Sequence, residues 1–382
     1  VAMADASARA PDMRCAFVIE PLPQGFSLGA TVCSYGFSML APNVWRAPSE
    51  VLAASARAAG RRREGELQRP LRRSDGSALL VVLRQPSARL LEVLVPRGSG
   101  RLSALDAATM REQVVRMLRL SPIDTVVARS FASANADLAS AGPVGRLFRS
   151  PSLFEDLVKT FTLCNCGWGR TLSMNEKLCS KLGGGAFPSA SELSGVSTRW
   201  LRRHCGVGYR AERLKRLASA VAGGELDLTE IEEAGKSVDE VRQRCSAIYG
   251  LGPFGVANAL QLLGHYGDVP ADSETARHLQ QARGKRSCTL QNVREVASRV
   301  YKPYAPLQFL RYWTELWRTY EDRMGGLASE VDPEQYKLLT AAHMEVKRQA
   351  YPAHTSNSST ARRRKASPGK SAQLQKRPRR IA

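Results

Sequence analysis

The chain has 382 residues, 43% of them apolar, and a formal net charge of +21. This length predicts one large or two to three ordinary domains, with enough apolar residues to bury a core. No apolar run reaches the length of a membrane span, and the first residues lack a secretory signal pattern, so we expect no membrane partner. The charge favours a polyanionic partner such as nucleic acid, although solubility alone is an alternative explanation.

The first part of the chain predicts a β-rich domain over 25–150 that follows an irregular arm over 1–24. Three segments rich in β-forming residues predict strands, over 26–42, 70–84 and 88–96. An Arg/Ala-rich insert over 46–73 predicts an exposed loop, and apolar residues at helical spacing over 103–118 predict a helix. We therefore expect a small, mostly antiparallel sheet with one helix.

Beyond this domain the apolar period changes to about 3.6, which predicts an all-helical domain of many short helices over 151–322. The fold class is therefore α+β. We expect a helical extension over 323–350 and a disordered basic tail over 351–382, where large apolar residues are almost absent. The tail's basic clusters at 362–365 and 376–380 predict a nuclear address or a DNA tether, with a merely solvated tail as the alternative.

The segment 246–279 carries the strongest functional signal, because a glycine-rich turn, GLGPFG, joins two predicted helices there. Gly250 and Gly252 permit positive φ and close approach by another molecule. The helix that starts near Phe254 would point its free N–H groups at the turn, which suits a phosphate. The alternative is a plain helix–helix turn; a dinucleotide fold is disfavoured because no strand precedes the glycines.

Asp272 follows a Gly/Pro loop at 265–271 that could deliver its carboxylate to a cleft. It also stands where it could cap the helix that follows, which is a common structural role. The two roles are compatible, because a cap holds the carboxylate in place. We expect that capping to lower the pKa of Asp272.

The hairpin IYGLGPFGVA and the later VPADS around Asp272 resemble the helix-hairpin-helix/Gly-Pro-Asp superfamily of base-excision DNA glycosylases. GVGYRA at 206–211 and the segment 154–183 are similar to the branch of 3-methyladenine glycosylase II and the 8-oxoguanine glycosylases. The resemblance covers roughly 150–322, and the β-rich N-terminal part fits that branch's extra antiparallel domain. The chain departs from the family at Tyr249, where a Pro is usual.

The resemblance implies a protein that binds double-stranded DNA containing damaged bases and flips the damaged nucleotide into a pocket. We expect a monomer. Asp272 would be the catalytic residue, stabilising the positive sugar that forms as the glycosidic bond breaks. The residues implied to contact DNA are Gly250, Gly252, Phe254, Gly255, Tyr209 and Arg210.

Cys166 and Trp168 lie where family members place the residues that fill the gap left by the flipped base. The resemblance therefore implies a base pocket or wedge at these two positions. Aromatic side chains stack on bases with about 1–3 kcal/mol each. The alternative for Trp168 is a core residue.

Family members that also cut the DNA strand carry a Lys at one of two positions, which are Phe254 and Gln243 here. Neither residue can form a Schiff base, so the resemblance favours a monofunctional enzyme acting on alkylated bases. Two alternatives stay open: a bifunctional glycosylase/lyase for oxidised purines, and a catalytically silent DNA-binding protein. No cofactor is expected, and an iron–sulfur cluster is disfavoured because only Cys288 follows Asp272.

Overall fold

The computed structural model describes residues 12–48, 65–139, 142–233 and 235–330. The predicted basic tail over 351–382, with both of its clusters, lies outside the described residues. The predicted helical extension lies outside them from residue 331 onward, and so does the predicted arm over residues 1–11.

Five strands form one antiparallel sheet in the order β1-β5-β4-β3-β2. The strands are β1 Met13–Ile19, β2 Val44–Arg46, β3 Glu66–Arg72, β4 Ala78–Ser87 and β5 Leu90–Pro96. Leu83 of β4 pairs with Leu67 on one side and Val93 on the other, and all three side chains are buried. One face of the sheet therefore supplies a core, as period-2 alternation dictates.

Helices make up most of the remaining described residues. In chain order they are α1 Leu28–Val32, α2 Ala104–Met117, α3 Pro122–Ala134, α4 Ala136–Ala139, α5 Leu153–Leu163, α6 Trp168–Lys181, α7 Ala190–Ser194, α8 Thr198–Trp200, α9 Arg210–Ala222, α10 Thr229–Glu232, α11 Val238–Ala247, α12 Pro253–Leu263, α13 Ser273–Ala282, α14 Val293–Tyr301 and α15 Gln308–Met324. A π-helical turn, Leu201–Cys205, continues α8. The predicted α+β fold class is confirmed.

Two predictions for the start of the chain are wrong. Within the predicted irregular arm, Met13–Ile19 is the edge strand β1, paired with β5. Within the predicted strand over 26–42, the chain forms α1 and a 3₁₀ turn, Gly36–Met39. The local reason for α1 is an N-cap: the Ser27 side chain accepts a hydrogen bond from the Ala30 N–H.

The predicted exposed loop over 46–73 is wrong at its end, because Glu66–Arg72 is strand β3. Its alternate residues Leu67, Arg69 and Leu71 are buried, and the charge of Arg69 is accommodated by an ion pair. The predicted single strand over 70–84 is a hairpin of β3 and β4. Residues 49–64 of the insert lie outside the described part of the chain.

Two hydrophobic cores share the structure, and they cross the predicted domain boundaries. The first core joins the sheet and α2 to residues 262–328, which include α13, α14 and α15. The second core is built from residues 153–260 alone, that is from α5 to α12. The helical domain predicted over 151–322 therefore contributes to both cores, and α12 runs from the second core into the first.

Candidate functional site

The glycine-rich turn is a hairpin between α11 and α12. Gly250 has a φ of +80°, a left-handed conformation that disfavours any residue with a side chain. Gly252 is the N-cap of α12, with extended backbone, and Pro253 takes the first helical position. The predicted turn between two helices is therefore confirmed in its geometry.

The three hairpin glycines stand in different surroundings. A Cβ on Gly250 would lie 2.7 Å from the Arg213 side chain, and a Cβ on Gly255 would lie 2.6 Å from Leu251. Nothing stands within 4 Å of a Cβ on Gly252. Packing therefore explains Gly250 and Gly255, whereas Gly252 faces open space, as it must if an external group approaches the backbone.

The N-terminus of α12 offers the backbone groups that bind an anion. No side chain caps it, so the first amides of the helix, from Phe254 and Gly255, have no intrahelical partner. The positive end of the helix dipole adds to their attraction for a phosphate. Phe254 is half-buried beside these amides, and Gln243, the other position tested for an amine, is exposed on α11.

Asp272 is the N-cap of α13, and its Oδ1 accepts a hydrogen bond from the Thr275 N–H at 2.7 Å. The predicted lowering of its pKa is wrong. Burial raises the pKa of Asp272, and the charge of Glu274 raises it further, while hydrogen bonds from Thr275 and Glu274 lower it only in part. The carboxylate is thus both fixed by a helix terminus and held in a poorly solvated place.

Two tyrosines that the sequence did not point to interact electrostatically with this carboxylate. Burial is the main cause that raises the pKa of Tyr35 and of Tyr312; the charge of Asp156 adds to it for Tyr35, and the charge of Asp272 adds to it for both. The Tyr35 hydroxyl lies 3.1 Å from Asn258 Oδ1 on α12, and its ring lies 5.0 Å from that of Trp313 on α15. Tyr35 therefore stands between the hairpin's second helix and the aromatic face of α15.

Tyr209 and Arg210, at the N-terminus of α9, differ in their exposure to solvent. Tyr209 is 50% exposed and lies under the guanidinium groups of Arg210 and Arg213. Arg210 itself is buried, and its guanidinium donates to the carbonyl oxygens of Phe161, Cys164 and Asn165. The implied DNA contact by Arg210 disagrees with this geometry, since its donors are taken by the end of α5 and by the loop between α5 and α6.

Cys166 lies in that loop, and Trp168 follows directly after the loop; both residues are at the junction of the two cores. Cys166 is half-buried against the second core, and Trp168, the first residue of α6, is half-buried against the first. A Cβ on Gly36 would lie 3.3 Å from the Trp168 ring, and the buried indole N–H has no hydrogen-bond partner among the described residues. Asn165, which directly precedes Cys166, has a φ of +48°. A fully exposed Trp168 is excluded.

Unpaired cations concentrate between α6 and α9. Nine Lys and Arg side chains there form no ion pair with any acid in the described ranges: Arg170, Lys177, Lys181, Arg199, Arg202, Arg203, Arg210, Arg213 and Lys215. Arg213 also contacts Gly250, which joins this surface to the hairpin. The surface therefore has the charge of a polyanion site.

Within the described ranges no cluster of three or more His, Cys, Asp or Glu is arranged to hold a metal ion. All eight cysteines are free thiols. Within the same described ranges, no helix is both long enough and apolar enough to cross a membrane.

No protein family and no curated protein sequence matches the chain. Among solved structures, the 3-methyladenine DNA-glycosylase from Archaeoglobus fulgidus is similar over 81% of this chain and 100% of its own, with 18% identity and a TM-score of 0.57. An 8-oxoguanine glycosylase/lyase from Clostridium acetobutylicum has 14% identity over 69% of this chain and 98% of its own, with a TM-score of 0.48. A DNA-3-methyladenine glycosidase from Bacillus halodurans has 22% identity over 55% of this chain and 94% of its own, with a TM-score of 0.40.

The similarity to the Archaeoglobus structure covers four fifths of this chain and the whole of the other one, so it concerns the overall fold and not the hairpin alone. The fold implied by the hairpin and VPADS motifs is therefore confirmed. This chain has the fold of the 3-methyladenine DNA-glycosylase from Archaeoglobus fulgidus.

Proposed function

We propose that the protein is a DNA glycosylase that flips a damaged, alkylated base out of the duplex and hydrolyses its N-glycosidic bond without cutting the strand. The observation that carries the proposal is the state of Asp272. Its carboxylate is fixed as a helix N-cap, burial raises its pKa, and it stands one helix beyond an uncapped, glycine-lined helix N-terminus. The fold supports the same activity.

Duplex binding would use the hairpin and the surface of unpaired cations beside it. The N–H groups of Phe254 and Gly255 would donate hydrogen bonds to one phosphate, with Gly250 shaping the turn and the open space at Gly252 allowing close approach. Tyr209 is exposed next to them and would contact the DNA through its ring or hydroxyl. Cys166 and Trp168 stand at the junction of the cores, beside Gly36, and would line or close the base pocket.

Chemistry would rest on Asp272. Breaking an N-glycosidic bond develops positive charge on the sugar, and a nearby carboxylate stabilises that charge most in a site with little water. A water molecule then adds to the sugar, and Asp272 would help to orient it and accept its proton. The buried position of Asp272 and its fixed orientation both support this role.

An alkylated base is favoured by the side chains around the carboxylate. Burial and, to a lesser extent, the charges of Asp156 and Asp272 raise the pKa of Tyr35, whose ring lies 5.0 Å from that of Trp313. Alkylation at a ring nitrogen gives a purine a positive charge, and aromatic faces attract a desolvated cation by about 2 kcal/mol. Strand cleavage is disfavoured because Phe254 and Gln243 offer no amine, and the buried Lys159 is held by Glu155 at 2.7 Å.

The test is mass spectrometry of the bases released from alkylated and from oxidised duplex by wild type and Asp272→Asn. We expect alkylated bases from wild type alone, with duplex binding retained by the variant. The wild-type rate should rise with pH as Asp272 ionises, with a midpoint above the ordinary Asp pKa of 3.8. Release by Asp272→Asn would overturn its role, and no release by wild type from either duplex would favour a silent DNA-binding protein.

Borohydride trapping on damaged duplex separates the two glycosylase types. A monofunctional enzyme gives no covalent protein–DNA adduct, whereas a lyase is trapped through its Schiff base. A trapped band together with release of oxidised purines would favour the bifunctional alternative.

We also propose a nuclear location and a monomeric state. The basic clusters at 362–365 and 376–380 support the location, since short Lys/Arg runs act as nuclear addresses and as salt-sensitive DNA tethers. Deleting 360–382 should reduce nuclear entry or salt-sensitive DNA binding and leave base release at saturating DNA unchanged. Lost turnover in that deletion would contradict a tether.

A further inference from the structure

Thr275 forms hydrogen bonds with Asp272 and with the loop that precedes Asp272. Its backbone N–H donates to Asp272 Oδ1 at 2.7 Å, and its hydroxyl lies 2.7 Å from the carbonyl oxygen of Pro270. One residue, through its backbone N–H and its hydroxyl, therefore ties the loop before Asp272 to the first turn of α13. The Thr275 hydroxyl lies 2.8 Å from a second oxygen, that of the Tyr312 hydroxyl on α15.

The direction of these two hydrogen bonds follows from the number of protons. A carbonyl oxygen only accepts, so the single hydroxyl proton of Thr275 goes to Pro270. The hydroxyl of Tyr312 then donates to Thr275 Oγ1, which leaves neither group unsatisfied. Both side chains are buried, and burial raises the pKa of Tyr312, so its phenol stays protonated and remains a donor.

We propose that Tyr312 is a positioning residue for Asp272, acting through Thr275. The inference rests on the proposed function, because it concerns how the catalytic carboxylate is aimed. Tyr312 belongs to the final helix of the first core and is 37 residues from Thr275 in the chain. Its hydrogen bond therefore fixes the first turn of α13 against α15, and with it the carboxylate that this turn caps.

Precise placement matters because a displacement of about 1 Å at a reacting group can cost about a hundredfold in rate. The residue acts on orientation and makes no contact with the proposed DNA surface, which lies on α6 to α12. The effect should therefore fall on the rate of base release and leave duplex affinity unchanged.

The experiment is single-turnover base release and duplex affinity for Tyr312→Phe, with the folded state checked by circular dichroism. The ring and its packing are kept, and only the hydroxyl is lost. We expect the rate to fall about tenfold with an unchanged Kd, as for the loss of one hydrogen bond that orients a reacting group.

Tyr301→Phe is the matched control. Tyr301 is also buried, and its ring lies 5.7 Å from that of Tyr312. Its hydroxyl contacts His278 and Glu315 instead of Thr275. We expect its rate within about twofold of wild type, because it removes a buried phenol hydroxyl without touching Thr275.

Thr275 variants show whether Tyr312 acts through Thr275. Thr275→Ser keeps the hydroxyl and should keep the rate, whereas Thr275→Val removes it and should slow release by roughly a hundredfold. Adding Tyr312→Phe to Thr275→Val should then slow release no further, because residues acting in one chain are not additive.

Three results would overturn the inference: equal losses in Tyr301→Phe and Tyr312→Phe, an additive double variant, or a Tyr312→Phe defect in affinity instead of rate. A wild-type rate in Tyr312→Phe would also overturn it while leaving the proposed function intact. Absence of base release from wild type would overturn the proposed function, and the inference with it.

Discussion

The two hydrophobic cores differ in how the chain builds them. The second core comes from one continuous stretch, residues 153–260, in which each helix packs against near neighbours in the chain. The first core joins the sheet to residues 262–328, two stretches separated by the whole of the second core. The hairpin belongs to the second core and the surroundings of Asp272 to the first, so the site depends on how the cores are held together.

Buried charges hold that junction. Arg69 on β3 pairs with Glu155 on α5 at 2.9 Å, and Glu155 also pairs with Lys159 at 2.7 Å, all three being buried. Arg116 on α2 pairs with Asp156 at 2.8 Å close by. The cores are therefore apolar inside, and the contact between them is partly ionic. Such a contact fixes one relative placement, because a buried charge tolerates no partner out of position.

The largest effect is expected from Glu155→Gln, which leaves two buried cations without a carboxylate. Removing one partner of a buried ion pair costs about 3–5 kcal/mol in the free energy of unfolding. Denaturant unfolding of wild type and variant measures it. The matched control is Glu66→Gln, whose partner Arg84 is 45% exposed on the same sheet. We expect that change to cost less than about 1 kcal/mol, as exposed pairs do.

The ionisation of the Glu155 carboxylate also predicts how the free energy of unfolding depends on pH. Arg69 and Lys159 overcome the effect of burial and lower the pKa of Glu155 to about 2, from its ordinary 4.5. A lowered pKa adds stability above the ordinary value, and that stability is lost as the pH falls from 4.5 towards 2. Glu155→Gln should flatten this part of the wild-type stability curve. Parallel curves for both proteins would show that the junction does not depend on this charge.

An effect of intermediate size on the free energy of unfolding should distinguish Gly255, which is packed against Leu251, from Gly252, which faces open space. Gly255→Ala puts a methyl group 2.6 Å from Leu251 inside the second core, and overpacking of this kind costs about 1–3 kcal/mol. Gly252→Ala adds a methyl group in open space, so stability should change by less than about 0.5 kcal/mol.

For duplex affinity we expect the opposite order, with a larger loss in Gly252→Ala than in Gly255→Ala. If Gly252 faces a phosphate, its methyl group obstructs the approach, and losing one charged hydrogen bond weakens binding about tenfold. Gly255→Ala, assayed at a temperature where it is folded, should bind closer to wild type. Equal binding by Gly252→Ala and wild type would show that the open space at the turn is not a DNA contact.

The difference between the cores also explains what the sequence could predict. The all-helical character of the second core could be predicted from the sequence because the signals of its helices are local. Ser189 with Glu192, and Ser237 with Glu240, form capping boxes that mark helix starts. Strand β1 was missed because its pairing with β5 lies about eighty residues away, and no local pattern encodes it.

The site follows the same rule. Asp272 and the hairpin glycines were identified from a short motif, because their positions depend on one turn and one cap. Tyr35 and Tyr312 reach Asp272 from opposite ends of the chain, so no spacing could associate them. Arg210 was assigned to the DNA surface through the resemblance of GVGYRA to the family, yet its guanidinium is buried and donates to carbonyl oxygens at the end of α5 and in the loop after it.

The smallest expected effect tests whether the DNA surface belongs to the second core alone. Arg216 on α9 lies 4.0 Å from the ring centre of Tyr249, the residue that replaces the family's hairpin Pro, and pairs with Glu212. Arg299 on α14 of the first core has the same i,i+4 pairing, with Glu295. The two arginines are thus matched in local chemistry and differ in the core that presents them.

The measurement is duplex affinity against salt concentration for Arg216→Gln and Arg299→Gln. A side chain that neutralises one phosphate contributes about 0.9 to the slope of log K against log salt. We expect Arg216→Gln to lower the slope by about that amount and Arg299→Gln to leave it unchanged. Equal slopes for both variants would remove Arg216 from the surface, and a loss in Arg299→Gln would extend the surface across the junction to the first core.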